Sequence, residues 1–200
     1  MRRVVVGILL AGVMTMPVFA ALKQGEKAPA FSAKASLAGK EIQFSLADAL
    51  KKGPVVVYFY PSAFTGGCNI EAHTFAENKD KFDAAGATII GVSQDSIERL
   101  NAFSADPEYC AGKIAVASDA NGSIASSYNL KASQAKPGMK DTRGVEIDHA
   151  FTERTTFVVK PDGTIAAVLS TSDDKISPAQ HVEKALEVVQ QLAGKSSAGL

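Results

Sequence analysis

From Val55 to Tyr60 the chain runs through β-branched and aromatic residues without a polar position, the pattern of a central strand covered on both faces. Pro61 ends it, having no N–H to give to a ladder. Beyond the turn, Ile70, Phe75 and Phe82 alternate with the charges of Glu71, Glu77, Lys79, Asp80 and Lys81, and this spacing predicts a helix beginning near Cys68 and closed by Gly86. Ala87 to Val92 is a second apolar run, so a strand-helix-strand unit with a parallel pair is expected. Asp95 or Ser96 then caps a helix carrying Arg99, Leu100 and Phe103, which stops before Pro107.

The outer parts of the chain follow the same logic. Lys23 to Leu50 holds turn signals at Gly25 and Gly39 around Glu41–Leu46, read as a peripheral hairpin or edge strand, with one helical turn over Leu46–Lys52. Ile114–Ala117 is a third short strand, and Asp119–Ser123 a turn leading into a short helix that ends by Tyr128. Leu130–Thr152, polar and punctuated by Pro137, Gly138 and Gly144, is the longest expected irregular segment, and such loops tend to be functional or mobile. Thr155–Lys160 and Thr164–Ser170 form a hairpin through Pro161-Asp162-Gly163, and Pro178–Ala193 an amphipathic helix with Val182, Leu186, Val189 and Leu192 on one face. The whole is an α/β sandwich with a mixed central sheet, in one domain.

Composition adds the compartment. Met1-Arg2-Arg3, the apolar stretch to Pro17 and the small-residue end Val18-Phe19-Ala20 read as a signal peptide cut after Ala20, with an uncleaved membrane anchor as the alternative. The expected organisation is therefore a signal peptide over 1–20, a single domain over 21–194 and a flexible tail over 195–200, in an exported, periplasmic setting. The full chain balances 21 basic against 21 acidic residues; without Arg2 and Arg3 the balance turns slightly acidic. Nothing there points to nucleic acid. Two cysteines are too few for a disulfide scaffold and fit a redox pair, or one reactive thiol with a bystander.

The candidate chemistry centres on Cys68. A cysteine on the first turn of a helix meets unsatisfied N–H groups and the positive end of the macrodipole, both of which favour an anion, and the thiolate is the nucleophilic form of cysteine. Taken singly, each neighbour has a plain structural reading: Cys68 as a small buried residue, Thr65 as an N-cap, Arg154 as a surface partner of Glu153, Glu71 as an exposed helix residue. His73 reads as a solvated helix histidine, and His149 and His181 carry no assigned role. Asn121-Gly122 is turn chemistry.

Pro61-x-x-x-Thr65-x-x-Cys68 resembles the active-site signature of the peroxiredoxins, thiol peroxidases on a thioredoxin-like fold. Gly25, Pro29 and Phe31, the block Gly91-Val-Ser-x-Asp95-Ser96, and Arg154 before Thr155-Thr-Phe-Val-Val-Lys are similar to further family segments, so the resemblance covers about Lys23 to Leu192. It implies that Cys68 attacks a hydroperoxide and becomes a sulfenic acid, that Thr65 and Arg154 assist, that Pro61 shields the sulfur from water, and that Glu71 orients the arginine. It also implies no cofactor and no metal, a hydroperoxide substrate, an unidentified thiol reductant, and a monomer or weak homodimer.

Cys110 is the natural resolving cysteine under this resemblance, sitting past a helix end where the chain can move. The branch most resembled, the Q or bacterioferritin-comigratory type, often places the second cysteine five residues after the first, where this chain has His73; the proline common after the threonine is here Gly66. Two other classes stay open. One is a thioredoxin-like disulfide oxidoreductase, opposed by Thr65-Gly-Gly-Cys68 standing where Cys-x-x-Cys belongs. The other is a non-catalytic redox or copper-handling domain with Cys68–Cys110 as a permanent staple.

Overall fold

In the computed structural model residues 20–197 are described, and the expected signal peptide, up to residue 19, lies outside them. Among the described residues no helix is long and apolar enough to cross a membrane. The organising strand is β3 (Val55–Phe59), fully buried along its length. Its side chains alternate between two cores: Val56, Tyr58 and the following Tyr60 enter one, Val55, Val57 and Phe59 the other. This is why the run carries no polar position.

The remaining strands assemble around it into one seven-stranded mixed sheet in the order β2-β1-β5-β4-β3-β8-β9. They are β1 (Ser32–Leu37), β2 (Lys40–Ser45), β4 (Thr88–Ser93), β5 (Ala115–Ser118), β8 (Thr155–Val159) and β9 (Ile165–Ser170). β3 runs parallel to β4 and antiparallel to β8, and β4 runs parallel to β5. The β1–β2 and β8–β9 hairpins close the two edges, as the turn residues predict.

Helices cover both faces. α2 (Gly66–Ala84), α3 (Ile97–Ala105) and α6 (Pro178–Ser197) lie over the core of Tyr58 and Tyr60, while α1 (Leu46–Leu50) and α4 (Ser123–Ser127) lie over that of Phe59 and Phe157; α5 (Thr171–Asp174) is a single turn after β9. α3 is capped by Ser96, whose hydroxyl accepts from the Arg99 N–H, satisfying one orphan donor of the first turn. Gly91 of β4 has a close-packing role: a Cβ there would lie 2.5 Å from Cζ of Tyr58, so the phenol occupies the space that glycine leaves.

Three expectations are corrected. Ile70 is not part of the helix's apolar face; it is exposed, and the buried stripe of α2 is Cys68, Asn69, Glu71, Ala72, Phe75, Ala76 and Phe82. At 100° per residue Ile70 falls off a stripe that begins at Cys68. The segment 130–152 is not wholly irregular, since β6 (Ala132–Gln134) and β7 (Ala150–Thr152) pair as a two-stranded sheet at its ends. α6 runs on to Ser197, past the expected end at Ala193 and into the expected tail.

Candidate active site

Register brings the site together. β8 is antiparallel to β3 with Thr155 opposite Phe59, so Arg154 arrives at the carboxyl end of β3 although it lies 86 residues from Cys68. β4 is parallel to β3 with Val92 opposite Phe59, so the turn after β4, with Asp95, opens at the same end. The carboxyl ends of parallel strands are where open α/β sheets gather their functional groups.

Cys68 is the third residue of α2, with Thr65 in extended conformation at the N-cap position, and the first helical bond runs from the Asn69 N–H to the Thr65 carbonyl. The N–H groups of the first turn therefore have no intrahelical partner, and Cys68 stands on that turn, at the positive end of the helix dipole. The side chain of Arg154 is 10% exposed and pairs through Nη1 with Glu71, while Nη2 stands 3.1 Å from Sγ of Cys68. Gly67 leaves room for this approach: a Cβ there would stand 3.2 Å from Nη2 of Arg154, a tight contact that the guanidinium would have to ease by a few tenths of an ångström.

Glu71 is fully buried. Burial pushes its pKa up to about 7, with the Arg154 charge and hydrogen bond pulling the other way. Burial works against the charge of Arg154 in turn, yet Glu71 and Cys68 outweigh it and hold the guanidinium cationic. The alternatives of a surface Arg154 paired with Glu153 and of an exposed Glu71 are thus replaced by a buried pair, and Glu153 instead accepts from the Lys131 N–H at 2.9 Å.

Thr65 is half-buried, and its hydroxyl makes no cap to the helix; it donates to the Ser62 carbonyl at 2.7 Å. Its proton is thereby committed to the loop, and its oxygen remains free to accept. Pro61 is partly exposed at the head of this loop. Phe64 holds the left-handed conformation (φ 59°) that a bulky residue seldom adopts. Its carbonyl accepts from both the N–H and the hydroxyl of Thr142, and the Arg143 guanidinium lies 3.3 Å from its ring centroid. The middle of the segment 130–152 is therefore a brace for the Pro61–Thr65 loop.

Cys110 does not sit in a loose, accessible segment. It is fully buried in the same core as Cys68, both as free thiols. Burial, and secondarily Asp106, pushes its pKa well above that of an ordinary thiol. The turns around it are hydrogen-bonded, with Ala111 N–H to the Asp106 carbonyl and Lys113 N–H to that of Cys110, both at 2.8 Å. His73, half-exposed on α2, adds a tie from Nδ1 to the Glu108 carbonyl at 2.9 Å. Tyr58 and Tyr60 are fully buried in the core that holds both cysteines, and burial holds both phenols well above the ordinary tyrosine range.

The model of the AhpC/TSA family matches residues 24–168, a span holding every residue just described on the strands, the loop and the cysteine helix. The chain belongs to that family. Among its curated relatives are peroxiredoxin Q of Sedum lineare, 26% identical over 88% of this chain and 82% of its own length, and the putative peroxiredoxin bcp of Coxiella burnetii, 29% identical over 74% and 87%. The crystal structure of peroxidoxin BcpB from Mycobacterium tuberculosis superposes with a TM-score of 0.69 at 27% identity, over 85% of this chain and 97% of that one. Peroxiredoxin Q of Xanthomonas campestris gives a TM-score of 0.61 at 27% identity, over 80% and 90%. These place the chain in the Q or bacterioferritin-comigratory branch of the peroxiredoxins, on the thioredoxin-like fold, and make it a thiol-dependent peroxidase.

Residues missed in sequence also converge here. Asp95, which reads locally as a helix cap, is buried behind the loop, ion-paired with Arg99 and His149 and joined through Arg99 to the buried Asp141. The family block Gly91-Val-Ser-x-Asp95-Ser96 contained it, but nothing local says that its carboxylate turns inward. His181, given no role, is buried between the hydroxyls of Thr156 at 3.0 Å and Thr171 at 2.8 Å. Burial, then the Arg154 charge, brings its pKa down to about 4.

Proposed function

We propose that this peroxiredoxin reduces hydrogen peroxide or an organic hydroperoxide at Cys68 and closes the cycle through Cys110. The single observation that carries this reading is the buried Arg154 guanidinium spanning Glu71 and the sulfur of Cys68. A permanent cation with a rigid fork of donors favours negative charge on the sulfur and can follow charge as it moves onto the peroxide.

In the first step the Cys68 thiolate attacks the terminal oxygen of ROOH. The S–O bond forms as the O–O bond breaks, and the departing RO⁻ takes a proton from solvent, replacing the one the thiol gave up, to leave as ROH, or as water from hydrogen peroxide. Thr65, its own proton held by Ser62, accepts the peroxide O–H and aligns the bond; Pro61 keeps water from the sulfur, which strengthens the remaining electrostatics. In the second step the Cys110 sulfur displaces hydroxide from the Cys68 sulfenic acid, giving a disulfide and water. A thiol reductant then returns both cysteines to thiols.

Cys110 is buried and its thiol is held protonated, so resolution requires the segment after α3, or the first turn of α2, to open locally. Gly66 and Gly67 at the start of α2 lower the cost of that opening. The basic, then apolar, then small-residue pattern of Met1–Ala20 supports action outside the cytoplasm, in the periplasm, after signal cleavage.

Single-turnover titration of thiols in the reduced mature protein tests the two-cysteine cycle. One equivalent of peroxide is expected to remove two thiols from wild type and one from Cys110→Ser. If Cys110→Ser turns over with an added thiol as fast as wild type, Cys110 is idle and the mechanism needs one cysteine.

A further inference from the structure

The loop that leads into the Cys68 helix is held from behind by a carboxylate that the chemistry above does not use. Asp95 accepts from the Ala63 N–H at 2.8 Å, the Ser62 hydroxyl at 3.1 Å and the Ser93 hydroxyl at 2.6 Å. It is ion-paired with Nε of Arg99 and Nε2 of His149, each at 2.8 Å. Arg99 continues to the Ala63 carbonyl at 3.1 Å and to Asp141 at 2.7 Å. Ser62 and Ala63, the two residues after Pro61, are thus bonded to this cluster through backbone and side chain.

His149 is the part of the cluster whose charge can change near neutrality. Nε2 faces Asp95 and the Ser62 hydroxyl at 3.2 Å, and Nδ1 lies 2.9 Å from the Ala150 carbonyl. A carboxylate and a carbonyl only accept, so the ring can donate to both only as imidazolium. His181 is the contrast: both its partners are threonine hydroxyls, which donate as well as accept, and a neutral ring suffices there.

We propose that His149 is a positioning residue for peroxide reduction: as an imidazolium clamped between Asp95 and the Ala150 carbonyl, it fixes the Ser62–Thr65 loop and with it the first turn carrying Cys68. The inference rests on the peroxidase reading above. The charged groups around the imidazole are Asp95 from the turn after β4, Arg99 from α3 and, beyond Arg99, Asp141 and Arg143; Ser62 faces it from the loop and Phe151 lies edge-on at 6.1 Å. Burial and Arg99 oppose its charge, but the bond and charge of Asp95 and the Ala150 carbonyl raise its pKa overall. The clamp is therefore complete below that pKa, and one of its two bonds is lost as pH rises through it.

The test is the rate constant of Cys68 oxidation by hydrogen peroxide, from rapid-quench thiol titration between about pH 5 and pH 9, for the reduced mature chain, His149→Gln and His149→Ala. The ratio of wild type to His149→Gln cancels every pH effect common to the two proteins. It is expected to fall from roughly tenfold to near one as pH rises, over the range in which the His149 ring and the Ala63 amide titrate together by NMR. His149→Ala is expected to be slower still at low pH and to lack the same transition; should it fail to fold, His149→Gln and the wild-type NMR titration carry the test. If the variants and wild type keep a constant ratio of one while consuming peroxide, the positioning claim is wrong and the peroxidase reading stands. If wild type itself does not react with peroxide, the peroxidase reading fails and takes the inference with it.

Discussion

Cys68→Ser is expected to abolish peroxide reduction at every peroxide concentration while leaving the fold intact. The serine hydroxyl is nearly the shape of the thiol, and the site is already polar on one side, with Arg154 at 3.1 Å from the sulfur, so the substitution should cost no more than about 1 kcal/mol of stability. Chemistry is another matter, because a serine oxygen does not ionise near neutral pH and forms no sulfenic acid. Peroxide consumption by Cys68→Ser should fall to the buffer rate, with an unfolding midpoint close to that of wild type. A variant that is folded and still consumes peroxide at the wild-type rate would move the non-catalytic reading of the cysteine pair to the front.

Arg154→Met carries the second-largest expected effect, a loss of about 10²- to 10³-fold in the rate constant with peroxide, the size found when a buried donor to developing negative charge is removed. Methionine fills most of the volume, so the deficit reports charge and hydrogen bonding. The substitution also leaves Glu71 buried without its cation. Burial already brings that carboxyl to about 7 against the pull of Arg154; without the pull it takes up a proton, which limits the damage to stability. Arg154→Lys separates the two contributions: it keeps the charge, but a single ammonium cannot span both Glu71 and Cys68 as the fork does, so a deficit of about tenfold should remain. Equal rates for wild type and Arg154→Met would mean that the guanidinium serves the fold and not the reaction.

How much of this could be read in the chain differs from residue to residue. β3 was legible because a strand buried on both faces has no polar position to hide it, and Cys68 because a helix period begins where the strand's turn ends. Arg154 was legible only through family resemblance, since nothing in Glu153-Arg154-Thr155 tells a buried cation from a surface one. What places it is the antiparallel register of β8 on β3, a property of the folded sheet. Glu71 is harder still: its spacing from Cys68 puts both on one face of α2, but a charge on that face reads as solvent-exposed until its partner is seen to arrive from another strand.

The Asp95 cluster escaped detection for a related reason. An aspartate after a strand and before a helix has a sufficient local explanation as a cap, and here Ser96 performs that task while Asp95 turns inward to the loop. His149 lies in a segment with no periodicity, whose order comes from contacts with the loop it braces and from the short β6–β7 pairing. The mobile setting expected for Cys110 failed because a helix end followed by Pro107 signals a break in the helix, not exposure; the aromatic core closes over the segment, with Phe103 stacked on Tyr109 at 5.6 Å.

The most direct test of the account is to find which sulfur peroxide oxidises. Reduced protein carrying Cys110→Ser, treated with one equivalent of hydrogen peroxide in the presence of a reagent that captures sulfenic acids, is digested and the peptides holding positions 68 and 110 are weighed. The adduct is expected on the Cys68 peptide, at close to one per chain, and to vanish when Cys68 is also replaced by serine. A chain that consumes the peroxide while the Cys68 peptide stays unmodified would contradict the central claim that this cysteine is the nucleophile.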